Sequence, residues 1–350
     1  MRRRRRAHPT AVVYAEFVDW LERMREDWDR RARQDAERFI YTRDRPTDVA
    51  DFDAAGEANY KQLVLPYLPI LLNGAPPSAC TVVEIGCGAG RMTQWFARDF
   101  GRVEALDISP EMIALARERL AGFPNVRLHV SNGADLAPVA DSSADLVFSY
   151  IVFQHIPSRE VIENYVREAA RVLKPGGAFK FQLNGDQSPQ ARTRRRDTWH
   201  GETFSPDEAL AMLHGAGFSL LASEGAGTQY YVLTARKGAL PQERPYVLAG
   251  EPWAEAHLLE GFGPPVEGSW RPMYGRARVR LEGAGTRLYL GLYFWPESCA
   301  HRLTVAGRVF EVWSPGDHFF ECAASGEPEV EITIEPAPAK PPAFRVIGLY

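Results

Sequence analysis

What this chain has little of narrows it first. Its four cysteines, Cys80, Cys87, Cys299 and Cys322, lack any CxxC spacing, which argues against a disulfide framework and a structural zinc site. They are expected to be free thiols, and no metal is expected. No stretch approaches the roughly 18 apolar residues of a membrane span. The richest, "LVLPYLPILL" at 63–72, is short and broken by two prolines. Charge of one sign is scarce too: a formal net charge of −4 sets up no field for nucleic acid. The one basic run of note, "MRRRRR", reads as a solvated terminus. A secretory signal needs an apolar segment straight after such arginines, and "AHPTAVVYAEFVDWLERMRED" turns charged too soon. The expectation is a cytoplasmic protein with no membrane or nucleic-acid partner, long enough for roughly two domains.

What is present is ordered. Trp20, Leu21, Met24, Trp28, Ala32, Ala36 and Phe39 recur every three or four positions, which predicts a long amphipathic helix near the N-terminus. A second helical region and the linker "NGAPPSA" lead to a first strand at Thr81–Ile85. Short β-like runs then alternate with helical patterns: "TVVEI", "RVEALDI", "VRLHV", "ADLVFSYI", "GAFKFQL", "FSLLASE" and "YYVLTA". Strands separated by helices require crossovers, hence a largely parallel sheet. Ser109-Pro110, Ser158 and Ser205 to Glu208 mark helix starts, and Gly176-Gly177 and Gly215 to Gly217 mark stops. Past Lys237, "GALPQERP" links to period-two segments such as "RLYLGLYF", "HRLTV" and "EVEITI". Leu288, Leu290, Leu292 and Phe294 on one side predict one buried face per strand, as in a two-sheet sandwich. The expected division is a helical lid or extension over 1–60, an α/β domain over 61–238 and an all-β accessory domain over 248–350.

The chemistry centres on Glu84-Ile85-Gly86-Cys87-Gly88-Ala89-Gly90, between the first strand and a helix starting near Arg91. Glycines let the backbone turn tightly and bring N–H groups to a ligand that a Cβ would hold away. The plainest alternative is a close strand-to-helix packing turn. A dinucleotide site would use GxGxxG against a pyrophosphate; here the spacing is GxGxG, and Glu84 would oppose a pyrophosphate but suit a cationic ligand.

From about Gln62 to Lys237 the chain resembles the class I S-adenosylmethionine-dependent methyltransferases, whose first motif is an acid, one residue, then GxGxG. The resemblance implies a Rossmann-like seven-stranded methyltransferase fold and S-adenosylmethionine as cofactor. Glu84 would hold the methionine end beside Gly86, Cys87, Gly88 and Gly90. Asp107, with Ile108 next to it, matches the acid that accepts both ribose hydroxyls. Asn132, Gly133 and Ala134 stand where the family usually places an Asp toward the adenine, a departure in this chain; an Asn-Gly turn is the plain alternative for Asn132. "DSSADLVFSYIVFQHIPS" and "RVLKPGGAFKF" resemble the later motifs and put Tyr150 against the cofactor, or simply in the core. His155 and His200 are the candidate general bases for an O or N acceptor. Trp28, Phe39 and Tyr41 could form a lid or merely pack a helix face, and Arg194 to Arg196 could bind an acidic substrate or be a solvated run.

Ser149-Tyr150-Ile151-Val152-Phe153 lacks the Asn/Asp-Pro-Pro-aromatic clamp of DNA-modifying relatives. The C-terminal segments resemble, loosely, β-sandwich modules of sugar-modifying enzymes. This implies a saccharide or glycoconjugate acceptor, with Trp270, Trp295 or Trp313 as platforms. The reading is therefore methyl transfer to an O or N atom of a small molecule or saccharide. A non-catalytic cofactor- or carbohydrate-binding adaptor is the alternative, and a nicotinamide oxidoreductase a more distant one.

Overall fold

The computed structural model describes residues 9–40, 49–239, 246–249, 252–266, 270–282, 287–296, 301–338 and 340–349. Tyr41, Cys299 and the basic run lie outside them. One sheet holds β1 (Thr81–Ile85), β2 (Arg102–Asp107), β3 (Val126–Val130), β4 (Ala144–Ser149), β5 (Leu173–Leu183), β6 (Phe218–Glu224) and β7 (Tyr231–Lys237), in the order β3-β2-β1-β4-β5-β7-β6. β1 to β5 pair in parallel, while β7 runs antiparallel between β5 and β6. This is the seven-stranded Rossmann-like fold.

Crossover helices explain the parallel run. α4 (Thr93–Asp99) joins β1 to β2, α5 (Pro110–Arg119) joins β2 to β3, and α6 (Arg159–Val172) joins β4 to β5. Because β1 lies between β2 and β4, its two neighbours are reached in opposite directions, and a crevice opens at the carboxyl ends of the strands. Alternation sorts the side chains: Val83, Ile85, Val147, Phe179 and Phe181 join one core layer, and Val82, Val103, Leu146 and Phe148 the other. Glu84 shares the second face, which makes a carboxylate there conspicuous.

The helix starts follow their sequence signals. Ser109 and Ser158 accept from Met112 and Val161 N–H, and Ser205 and Glu208 close a reciprocal capping box ahead of α8 (Pro206–Gly215). Two boundaries differ from expectation. α4 begins at Thr93, two residues after Arg91, because the glycine turn continues through Met92. β5 begins at Leu173, ahead of the expected Gly176-Gly177 stop: the residue before Pro175 cannot stay helical, so α6 ends at Val172 and the chain extends at once.

The N-terminal helix α1 (Pro9–Ile40) has one non-helical residue, Asp35, whose carboxylate accepts from Arg38 N–H and so restarts the last turn. Ala32 and Ala36 of α1 pack against Ala89 and Met112, seating the helix on α5.

The C-terminal strands form one nine-stranded antiparallel sheet in which β10 (Arg271–Arg280) serves both layers. Its first two residues pair with β16 (Ala343–Leu349), and Arg276–Arg280 pair with β15 (Glu329–Glu335). The two layers expected of a sandwich are thus joined around a core that includes Leu290, Leu292, Ile332 and Phe344. Leu288, Leu290, Leu292 and Phe294 of β11 (Arg287–Phe294) are all buried. Tyr289 on the opposite face is buried as well, which one-sided burial did not anticipate. With Tyr246, Leu248 and Val346 it packs against Tyr67, Leu68 and Leu221 of the α/β domain.

Candidate active site

The glycine turn is fixed by the neighbouring strand. Gly86 and Cys87 N–H both donate to the Leu106 carbonyl, at 2.7 and 3.0 Å. Gly88 N–H donates to Asp107 Oδ2 at 2.9 Å, while Asp107 Oδ1 accepts from Ser109 N–H at 2.9 Å. The acid at the end of β2 therefore clasps the loop after β1. Each of its oxygens keeps acceptor capacity for a ligand.

Glu84, 5% exposed, accepts from the Thr93 hydroxyl at 2.6 Å. Burial pushes its pKa up to about 7, against the lowering pull of Thr93 and Arg91, and Asp107 raises it further. Burial likewise raises Asp107 to about 6, opposed by the Ser109 and Gly88 N–H groups and aided by Asp29. Two carboxylates thus face one cavity from adjacent strand ends, each held reluctant to ionise. Arg91 on the same cavity wall offsets the burial of Glu84 only in part, and a ligand bearing positive charge favours both ionised forms.

The same cavity is lined by Gly86, Cys87, Gly88, Ile108, Gly133, Tyr150 and His155. The Cys87 thiol is buried and its pKa raised by desolvation, so it serves as a small apolar wall. Three residues expected there stand apart. The Cβ position of Gly90 lies 3.0 Å from Leu120 Cδ1, so that glycine permits close helix packing. Asn132 is exposed, and its Oδ1 accepts from Ala134 and Asp135 N–H. The Asn-Gly turn is realised, and the Ala134 N–H is consumed within it.

The cavity's cover comes from α1, through Met24, Trp28, Phe39 and Ile40. Ile40 sits where a Cβ on Gly88 would come within 2.9 Å of its Cδ1. Polar bonds hold the helix down. The Ser109 hydroxyl donates to Asp29 at 2.5 Å, and Arg31 donates to the Thr198 carbonyl and hydroxyl at 3.1 and 2.9 Å. The Arg31 guanidinium also lies 4.7 Å from the Trp28 ring centre and 5.2 Å from that of Trp199.

His155 is not free to move a proton. The Gln154 amide oxygen accepts from Gln182 and Gln229, which fixes its nitrogen toward His155 Nε2 at 3.1 Å. An amide nitrogen only donates, so Nε2 is the acceptor and Nδ1 carries the proton, donated to the Trp199 carbonyl at 2.8 Å. Burial pushes the pKa down to about 4, leaving a neutral ring with both nitrogens engaged. Its geometry is that of a brace between the post-β4 turn and the 197–201 loop, which differs from the expected base. His200 is placed differently: 43% exposed, with Nδ1 3.3 Å from Asp197 Oδ1.

His200 lines a second cavity of about 530 Å³, together with Asn184, Thr203, Gln229 and Tyr230. Phe39, Ile40, Tyr150, Ile151 and His155 border both cavities. Ile151 was unforeseen. A β-branched residue at φ +56 is strained, and its N–H donates to Gln182 Oε1 at 2.9 Å, which holds the turn between the cavities. Trp270, Trp295 and Trp313 line neither cavity. Trp295 carries the Lys340 ammonium 3.8 Å from its ring centre, and Trp313 is exposed at the sheet edge beyond β13 (Arg308–Val312).

Residues 83–181 match a family model described as "Methyltransferase domain". The chain is 38% identical over 96 residues to demethylmenaquinone methyltransferase of Tropheryma whipplei (strain Twist), a match covering 27% of this chain and 38% of that one. It is 31% identical over 158 residues to ubiquinone biosynthesis O-methyltransferase of Xanthomonas axonopodis pv. citri (strain 306), covering 41% and 64% respectively. This chain thus spans less than two thirds of the length of each of these relatives. A solved structure described as a DhpI–SAH complex is similar at 23% identity and a TM-score of 0.45, covering 63% of this chain and 98% of that one. No helix among the described residues is long and apolar enough to cross a membrane. The match falls on the strands, turn and acids that build the cavity, and over those residues the α/β domain is similar to a methyltransferase domain.

Proposed function

We propose that the protein transfers a methyl group from S-adenosylmethionine to an oxygen or nitrogen of a small molecule or saccharide held in the second cavity. The observation that carries this reading is the pair of buried carboxylates, Glu84 and Asp107, flanking the glycine turn at one cavity. The cofactor supplies a methyl made electrophilic by a sulfonium, and the protein's main task is alignment, which can contribute roughly 7–11 kcal/mol. Glu84 holds the cationic methionine end, Asp107 grips the ribose hydroxyls, and the turn's Gly86 and Gly88 let backbone approach. Tyr150 and Ile151 separate this cavity from the acceptor's. The polar groups of the second cavity suit a hydroxyl-rich acceptor. His200, oriented by Asp197, takes the acceptor's proton.

Turnover of labelled S-adenosylmethionine with a panel of saccharides, amines and phenols tests the activity; tight cofactor binding with no turnover would favour an adaptor. Within an active assay, His200→Gln is expected to lower kcat about a hundredfold, at the low end of general-base effects. His155→Gln should stay within about threefold, with an unshifted pH profile, because the ring's one lone pair already accepts from the Gln154 amide. The reverse ranking would move the base to His155.

Cofactor affinity should depend on pH. In the free protein Glu84 titrates near 7 and Asp107 near 6. A cationic ligand favours their ionised forms, so affinity rises as pH rises through that window. The expected gain is about tenfold from about pH 6 to about pH 8, read by calorimetry, with protons released on binding. Glu84→Gln should flatten most of that rise. Without ligand the sign reverses for folding. Carboxyls with raised folded pKa values bind more protons folded than unfolded, so their contribution to stability falls as pH rises from about 4 to about 7.

A further inference from the structure

The segment 192–196 carries four arginines: Arg192 in the last turn of the short helix α7 (Pro189–Thr193), and Arg194, Arg195 and Arg196 just past it. Three of them, Arg192, Arg194 and Arg196, line the second cavity, where Asp186 is the single acid of the wall. Arg196 is committed to the buried carboxylate of Glu202 at 2.9 Å. Arg192 and Arg194 make no side-chain ion pair or hydrogen bond among the described residues, although Glu208 lies close enough to feel the charge of Arg192 and Asp186 that of Arg194. On the other side of this wall, Arg23, Arg192, Arg194, Arg195 and Arg196 border an adjoining cleft with Trp20 and Pro157, and no acid lines it. A solvated charge run spreads its side chains outward. Here Arg192, on the last turn of α7, and Arg194 and Arg196, on the non-helical segment that follows, line one concavity.

Concentrating three arginines on one wall that holds a single acid costs energy unless an anion is bound there, and guanidinium forks match tetrahedral and planar oxyanions in paired hydrogen bonds. We propose that the acceptor carries a phosphoryl group, and that Arg192 and Arg194 seat it while its other end reaches the wall of Tyr150 and Ile151 shared with the cofactor cavity. The assignment rests on the methyl-transfer reading and narrows it: the substrate is a phosphorylated small molecule whose methylated oxygen or nitrogen lies away from the phosphate. A concave site of about 530 Å³ with apolar residues on the shared side favours a small molecule over a nucleic-acid strand. The net charge of −4 also offers a polyanion no general attraction.

The test uses the full chain at low salt and inorganic pyrophosphate as probe, titrated by calorimetry with and without saturating S-adenosylhomocysteine. Pyrophosphate should bind, and Arg192→Ala/Arg194→Ala should weaken it at least tenfold while S-adenosylhomocysteine affinity changes less than twofold. The charge-retaining Arg192→Lys/Arg194→Lys should lose less, because point charges replace forks. Succinate, a dianion without a phosphoryl group, should bind more weakly than pyrophosphate. The proposal is overturned if pyrophosphate does not bind, if the alanine pair leaves its affinity unchanged, if succinate binds as tightly, or if a single-stranded RNA decamer binds and pyrophosphate fails to displace it. Failure to bind S-adenosylhomocysteine would instead overturn the cofactor reading, and the titration without it still reads the arginine seat.

Discussion

Asp107→Ala is expected to weaken S-adenosylmethionine and S-adenosylhomocysteine binding about a hundredfold. Hydrogen bonds to a charged partner contribute roughly 1.5–3 kcal/mol each, and the ribose grip would lose two. Part of the loss would pass through the protein, because Asp107 also accepts from Gly88 and Ser109 N–H, and alanine leaves both donors without their acceptor. Asp107→Asn separates the contributions. It keeps one carbonyl oxygen for the turn but removes the charge and one acceptor, so it should fall between wild type and alanine. Isothermal titration with each nucleoside gives the affinities, and thermal denaturation reports whether the turn survived. An alanine variant that binds both as tightly as wild type would remove Asp107 from the ribose, and with it the present orientation of the cofactor.

The parts of this site that the sequence made legible are local. Glu84, the glycine turn and Asp107 lie at the ends of two consecutive strands, and parallel pairing of β1 with β2 brings those ends together. The helix caps were legible because Ser109, Ser158 and Ser205 satisfy N–H groups within their own first turns. What escaped depends on distant contacts. Asp27, Arg31 and Thr198 meet across most of the α/β domain, so no spacing announces the clasp of α1 over the cavity. His155 looked like a base because imidazole titrates near neutrality; Gln154, Gln182, Gln229 and Trp199 decide otherwise, and three of these come from elsewhere in the chain. Asn132 had two readings, and an exposed turn satisfied its carbonyl with its own neighbours. On β11 the period-two pattern gave the inner face correctly, and the second buried face belongs to domain docking, which Tyr289 alone could not reveal.

Gly86→Ala should be the most damaging single-methyl change in the cofactor site, and the reason is steric on two counts. Gly86 has φ +72, where an L side chain costs roughly 1–2 kcal/mol. Its Cβ would also lie 2.3 Å from Val152 Cγ2 and 2.8 Å from Cγ1, and overpacking of that kind typically costs about 1–3 kcal/mol. Val152 cannot simply swing away, because it sits in the turn that carries strained Ile151 and lines the same cavity. The backbone must therefore shift at the turn, drawing Gly86 N–H off the Leu106 carbonyl. Expected outcomes are a destabilisation of about 2–5 kcal/mol by denaturant titration and cofactor binding weakened more than a hundredfold. Gly86→Ala/Val152→Ala isolates the clash. Removing both Val152 methyls leaves only the Val152 Cβ close, at 3.1 Å, so the double variant should recover most of the packing share of stability and keep the φ penalty. A double variant no more stable than Gly86→Ala would place the whole cost in the backbone; a Gly86→Ala protein that binds S-adenosylhomocysteine normally would show that the turn does not lie along the ligand.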